Sequence, residues 1–305
     1  MDEEQAGRFG WHRSDTLAGG VRFATVDEVG ESERAIRAPH WLIVCVATVV
    51  TAGAGCGNAA VSDEGEGTNP SEPGTTAVAS LVPAIIAETP HDATAFTEGL
   101  VFDGPRLYES TGNFGTSQLR EIDPATGATL RSADLPPDFY GEGIAVVGDR
   151  IWQLTWRNGV AIEWDKPSMK PLRQVRVDGE SWGLCYDGER LIRSDGTDRL
   201  HFHDPAAFTE TGSVAVTFEG NPLRQLNELE CVDGQVWGNV FMTDRIVRID
   251  PRTGDVTAMV DARRLVDDKR RGREEVLNGI AFAGSGEFLL TGKYWPTMFR
   301  VRLDG

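Results

Sequence analysis

Glu142 lies in FYGEGIAV (139–146), a lone carboxylate between two glycines at the head of an apolar run. An acid held at the rim of a sheet, away from bulk water, can take up a proton and give it back. Comparable sequence positions carry Glu98 in TEGL, Glu228 in NELE, Asn278 in NGIA and Lys293 in TGK. A cation and amides of this kind can steady an oxyanion. Tyr140, Trp156, Trp182 and Phe241 supply aromatic walls. The first three lie near enough to Glu142 in the pattern to desolvate it and raise its pKa toward neutrality. The glycines beside Glu142 are expected to leave space for a substrate backbone. No nucleophile pair competes with this reading. The histidines are His12, His40, His91, His201 and His203, and no Ser or Cys falls near one of them among the candidate positions. No His/Cys/Asp grouping has zinc spacing, and HFH (201–203) reads as a structural strand pair.

These residues recur because the sequence recurs. Five segments align on a turn glycine: TEGLVFDGPRLYESTG (97–112), GEGIAVVGDRIWQLTW (141–156), SWGLCYDGERLIRSDG (181–196), NELECVDGQVWGNVF (227–241) and NGIAFAGSGEFLLTGK (278–293). The glycines, at 104, 148, 188, 234 and 284, are spaced by 44, 40, 46 and 50 residues. Three units continue into an Asp-Pro turn, EIDPATG, FHDPAAF and RIDPRTG, and the second has EWDKP. Four short antiparallel strands per unit of this length predict an all-β, five-bladed β-propeller. The last unit is one strand short, and 81–96 is expected to supply it and close the ring. A large β-sandwich does not explain the regular repeat. The charged insertion RRLVDDKRRGREE (263–275) is expected to be a solvent-exposed excursion with a helical turn. Counting six residues back from each turn glycine gives Glu98, Glu142, Trp182, Glu228 and Asn278 at the head of each first strand. The second strands end at Gly112, Trp156, Gly196, Phe241 and Lys293. Antiparallel pairing puts both rings on one face, the mouth of the channel.

Outside the repeat the chain divides into a tail (1–40), an apolar segment (41–56), a flexible linker (57–80) and the propeller (81–305). The run WLIVCVATVVTAGAG (41–55) has the length and flanks of a signal sequence, shorter than a membrane span. AGAGC resembles a lipoprotein signal with Cys56 as the lipidated residue, although Gly53 stands where a branched apolar residue is usual; a plain cleaved signal and an uncleaved anchor are the alternatives. Export to the cell envelope or beyond is expected, with membrane contact only through this segment. A formal charge of −17 on 305 residues argues against nucleic acid or anionic lipid as a partner. Cys185 and Cys231 permit one disulfide, and buried free thiols are the simpler expectation.

The motifs FTEGL, YGEGI, SWGL, LNELE…VWGNVF and LNGIAF…LTGKYWP resemble the glutaminyl-peptide cyclotransferases of the plant-latex and bacterial type, across residues 85–303. The resemblance implies a five-bladed propeller that converts the N-terminal glutamine of a peptide to pyroglutamate and releases ammonia, with no cofactor or catalytic metal. It is not the animal-type enzyme, which uses zinc on an α/β fold. Glu142 matches the family's catalytic glutamate and Lys293 its lysine for the oxyanion. Asn227 matches the asparagine that holds substrate amide groups, with Glu228 beside it at the ring position. Trp156, Trp182 and Tyr140 match the aromatic walls. Two residues depart from the pattern: Glu98 replaces a glutamine and Phe241 a tryptophan. Two rivals remain at the sequence level. One is a propeller that binds a peptide or sugar without turnover. The other is a calcium-dependent lactonase-type propeller with Glu98, Glu142, Glu228 and Asn278 as ligands, for which six blades would be expected.

Overall fold

The computed structural model describes residues 77–265 and 272–304. The tail, the apolar segment and Cys56 lie outside them. The first strand, β1 (Ala79–Pro90), starts two residues inside the expected linker. Four-stranded antiparallel meanders follow. The first is β2 (Thr97–Asp103), β3 (Arg106–Thr111), β4 (Gln118–Ile122) and β5 (Thr129–Asp134). The second is β6 (Gly141–Val147), β7 (Arg150–Thr155), β8 (Val160–Asp165) and β9 (Lys170–Arg176). The third is β10 (Leu184–Tyr186), β11 (Leu191–Ser194), β12 (Arg199–His203) and β13 (Glu210–Ala215). After a hairpin of β14 (Thr217–Phe218) and β15 (Asn221–Pro222) comes β16 (Leu226–Val232), β17 (Gln235–Val240), β18 (Arg245–Ile249) and β19 (Val256–Asp261). The last unit has β20 (Leu277–Gly284), β21 (Glu287–Gly292) and β22 (Thr297–Asp304). Its fourth strand is β1, antiparallel to β22 from Val82 opposite Asp304 to Pro90 opposite Thr297. Ala79–Leu81 also pairs in parallel with β19, so the final two meanders form one eight-stranded sheet. Among the described residues there is no α-helix, and the insertion contributes one 3₁₀ turn at Arg263–Leu265.

Each unit follows from its sequence. The first strands are apolar and buried, whereas β5, β9 and β13 alternate polar residues outward. The Asp-Pro turns are built alike: Gly127 N–H and Gly254 N–H bond back to Asp123 O and Asp250 O at 2.8 Å. The atypical EWDKP turn has the same form, with Met169 N–H on Asp165 O at 2.7 Å, and so does Phe208 on Asp204. All four closing residues have positive φ. Glycine is required at 127 and 254, where a Cβ would meet Pro90 O at 1.7 Å and Ala215 O at 1.9 Å.

First strands contact one another in the cycle β2, β6, β10, β16, β20 and back to β2. Apolar clusters fill the gaps between consecutive meanders: Tyr108, Leu119, Ile144 and Trp164 join the first two, and Leu100, Leu107, Ala281 and Met298 join the last to the first. The expectation of free thiols is overturned. Cys185 on β10 and Cys231 on β16 form a disulfide, Cα–Cα 5.5 Å. They are 46 residues apart in sequence, but neighbouring first strands bring them together.

Candidate active site

The first strands do not start smoothly. Their pairing with the second strands slips between Thr97 and Gly99, Gly141 and Ile144, Leu226 and Leu229, and Leu277 and Ile280. A bulge of this kind re-aims a side chain out of the strand's alternation. The side chains at these bulges are Glu98, Glu142, Asn227 and Asn278. The residue that follows is glycine in three of them, and at two of these the next first strand passes too close for a side chain: a Cβ on Gly99 would meet Ile144 N at 2.8 Å, and one on Gly143 would meet Leu184 N at 2.5 Å. The glycines around Glu142 therefore admit neighbouring backbone rather than substrate. Gly141 likewise faces Thr111 O at 2.6 Å.

This register corrects one ring assignment. Asn227, not Glu228, occupies the position equivalent to Glu142, and Glu228 stands at the glycine position. The Glu228 carboxylate is buried inside the ring, accepting from Leu100 N–H at 3.2 Å and Ile280 N–H at 2.9 Å. Counting back from the turn glycine misplaced it by one residue, because glycine is the first residue of the β2–β3 and β6–β7 turns (Gly104, Gly148) but the second of the β16–β17 turn, Asp233-Gly234.

A cavity of about 200 Å³ opens at the ring, lined by Phe96, Glu98, Tyr140, Glu142, Trp156, Trp182, Asn227, Phe241 and Lys293. Eight of these nine are sequence-predicted site residues. Glu228 and Asn278 do not line it; Asn278 is fully buried behind it, donating to Thr97 O at 2.9 Å and Glu98 Oε2 at 3.1 Å. In the aromatic wall Tyr140 lies tilted 5.6 Å from Trp156, and Trp182 lies edge to face 5.6 Å from Phe241. Glycines at 112 and 196 make room for it, since a Cβ there would meet the Tyr140 and Trp182 rings at 2.5 and 2.6 Å.

The charges are concentrated on three side chains. Lys293 Nζ donates to Glu98 Oε1 at 2.8 Å, Tyr140 OH donates to the same oxygen at 3.3 Å, and the ammonium lies 4.4 Å from the centre of the Phe96 ring. Glu98 is 1% exposed, Glu142 5% and Lys293 4%. Burial, above all, pushes the Glu142 carboxyl well above the usual range; the charge of Glu98 adds to the rise and Lys293 opposes it. Burial also raises Glu98, but there Lys293 and Tyr140 pull the other way. Three donors oppose that rise at Glu98, so Glu142 is the member of the pair readier to carry a proton. Burial and both neighbouring carboxylates keep the Tyr140 hydroxyl protonated. Among the described residues no set of three or more His, Cys, Asp or Glu is gathered to hold a metal ion. Glu228, expected as a calcium ligand in one rival, instead has both carboxylate oxygens on backbone N–H groups.

Residues 58–303 match the family model described as glutamine cyclotransferase. This chain belongs to the glutamine cyclotransferase family. It is 36% identical over 228 residues to a glutaminyl-peptide cyclotransferase of Arabidopsis thaliana, covering 72% of this chain and 70% of the relative. The crystal structure of Myxococcus xanthus glutaminyl cyclase superposes with a TM-score of 0.71 at 40% identity, over 75% of this chain and 99% of that one.

Two parts of this cyclotransferase site escaped the sequence reading. Phe96, two residues before Glu98, lies under the Lys293 ammonium; an aromatic at that spacing was the available signal. Glu180, two residues before Trp182, accepts both indole N–H groups on one oxygen, from Trp156 at 2.9 Å and Trp182 at 3.2 Å, and Arg157 on the other at 2.7 Å. It fixes the tilt of two walls, a role that shows only once both rings are in place.

Proposed function

We infer that the protein is a glutaminyl-peptide cyclotransferase that converts the N-terminal glutamine of a peptide into pyroglutamate and releases ammonia. The observation that carries this beyond family membership is a buried carboxyl of raised proton affinity, Glu142, beside a buried Glu98–Lys293 pair in a small aromatic cavity. The substrate's α-amine, as the neutral base, attacks the carbonyl carbon of its own side-chain amide. The new C–N bond closes the five-membered ring and the amine gives up a proton, which Glu142 accepts. The carbonyl oxygen becomes an oxyanion within reach of the Lys293 ammonium. Glu142 then returns the proton to the amide nitrogen, the bond to that nitrogen breaks, and ammonia leaves. A raised pKa brings Glu142 toward that of the amine it serves and eases transfer in both directions. Asn227 Oδ1 is buried in this cavity wall with no hydrogen-bond partner among the described residues, an acceptor suited to the substrate's amide N–H. The aromatic walls hold the side chain folded against its own amine, and this proximity contributes much of the rate.

The meanders are read as five blades of a propeller. The closed cycle of first strands, the clusters between consecutive units and the capture of β1 by β22 support that reading. The reaction is tested by incubating the protein with a Gln-initiated peptide, with and without a chelator. The expected product has lost the mass of one ammonia in both samples. An unchanged peptide in both, or turnover abolished by the chelator, would refute the proposed chemistry.

A further inference from the structure

We propose that the cleft beside Phe96 is a binding subsite for the peptide residues that follow the substrate's N-terminal glutamine. The proposal rests on the cyclotransferase reading and adds to it where the rest of the substrate lies. The catalytic cavity, at about 200 Å³, is walled by aromatic rings, so the chain beyond the cyclising residue has to leave across its rim. Two clefts open beside the residues of the rim. One, of about 470 Å³, shares Phe96 with the catalytic cavity and is lined by Tyr294, the neighbour of Lys293. The other, of about 510 Å³ beside Arg157, shares no lining residue with it. Continuity favours the first.

Its construction also fits a peptide. Asn113 and Tyr294 directly follow the ring residues Gly112 and Lys293, and both adopt positive φ, 83° and 60°. Asn113 Nδ2 donates to Tyr294 OH at 2.9 Å and ties the two rim loops together across the first and last meanders. Residues held in this sparsely populated region persist where surrounding contacts determine them. Phe114, 57% exposed, packs against the Tyr140 ring at 5.3 Å and forms an apolar shelf beside the catalytic cavity.

The polar groups in the cleft suit main chain. Arg120 donates Nε to Gln118 at 2.8 Å and Nη1 to Asp92 at 2.9 Å, while its Nη2 has no partner among the described residues. Asp134 accepts Gln118 on Oδ1 at 2.7 Å and has its second oxygen open. A donor and an acceptor on one wall match the C=O and N–H groups of an extended peptide and select no particular side-chain charge. Catalytic efficiency is therefore expected to depend on substrate length more than on the identity of the second residue.

The test compares glutaminamide, which has nothing beyond the cyclising residue, with a Gln-initiated tetrapeptide. Thr116→Trp fills the cleft from an exposed position, and Asp178→Trp fills the cleft beside Arg157 as a control. Wild-type kcat/KM is expected to be about tenfold higher for the tetrapeptide, the worth of one hydrogen bond to a charged group. Thr116→Trp should remove that advantage and leave glutaminamide turnover unchanged, which also shows the fold intact. Asp178→Trp should leave both substrates unchanged. Equal wild-type rates on the two substrates, a tetrapeptide advantage that survives Thr116→Trp, or a loss confined to Asp178→Trp would each overturn the proposal. Absence of wild-type turnover on both substrates would instead count against the cyclotransferase reading itself.

Discussion

At the scale of single residues, the site is a competition between burial and charge. Glu142 and Glu98 face the same small cavity with one ammonium between them, and the donors go to Glu98. Two other titratable groups act on the pair, Tyr140 on Glu98 and Glu180 on Glu142. Glu98→Gln removes the negative neighbour that raises Glu142 and leaves Lys293, which lowers it. Both changes act in one direction. Because the ionised form of Glu142 accepts the amine proton, activity rises as pH rises through its pKa. The acid limb of kcat/KM in Glu98→Gln is therefore expected to move to lower pH by about one unit or more. A limb that stays in place, measured on the same peptide, would show that Glu98 does not set the proton affinity of Glu142. The residues that line the cavity were legible in the sequence at this scale, since an acid, a cation and aromatics stand at matched positions of the repeat. The buttress at Glu180 was not, because nothing local says which two indoles one carboxylate will hold.

At the scale of elements, the repeat made the strands and hairpin turns readable, and the structure adds what strands do when they meet. The bulges at the heads of β2, β6 and β16 aim Glu98, Glu142 and Asn227 at the cavity, and the glycines after Glu98 and Glu142 mark close backbone approach. Glu228 shows the limit of counting: the glycine comes second rather than first in the turn after β16, and that exchanges its place with Asn227. The Cys185–Cys231 pair shows another limit, since adjacency of β10 and β16 is a property of the ring. This disulfide links first strands of consecutive meanders across 46 residues. Replacing both cysteines by serine is expected to lower stability by about 2–4 kcal/mol, read from the denaturant midpoint at unchanged slope. A midpoint that does not move would mean the bond adds nothing that the apolar cluster of Ile192, Leu229 and Val236 does not already supply.

At the scale of the whole molecule, closure makes the site. The cavity takes Glu98 and Phe96 from the first meander, Glu142 and Trp156 from the second, Trp182 from the third, Asn227 and Phe241 from the fourth and Lys293 from the last. No unit holds more than a fragment of the chemistry. The first and last meet through β2 against β20 and the cluster of Leu100, Leu107, Ala281 and Met298, and β1 completes the final sheet; His91 N–H on Pro296 O at 2.9 Å and Tyr294 N–H on Ala95 O at 2.7 Å bring the loop after Lys293 against the segment that leads to Phe96 and Glu98. The missing strand of the last unit was visible in the repeat; the loop-to-loop contacts that set the Lys293–Glu98 distance were not. The central claim is that Glu142 carries the proton from the attacking amine to the departing ammonia. Its most direct test is the turnover number of Glu142→Gln on a Gln-initiated peptide, with the unfolding midpoint measured on the same sample. Turnover is expected to fall by about 10²- to 10⁴-fold with the midpoint held or raised. Wild-type turnover in a folded Glu142→Gln protein would contradict the account.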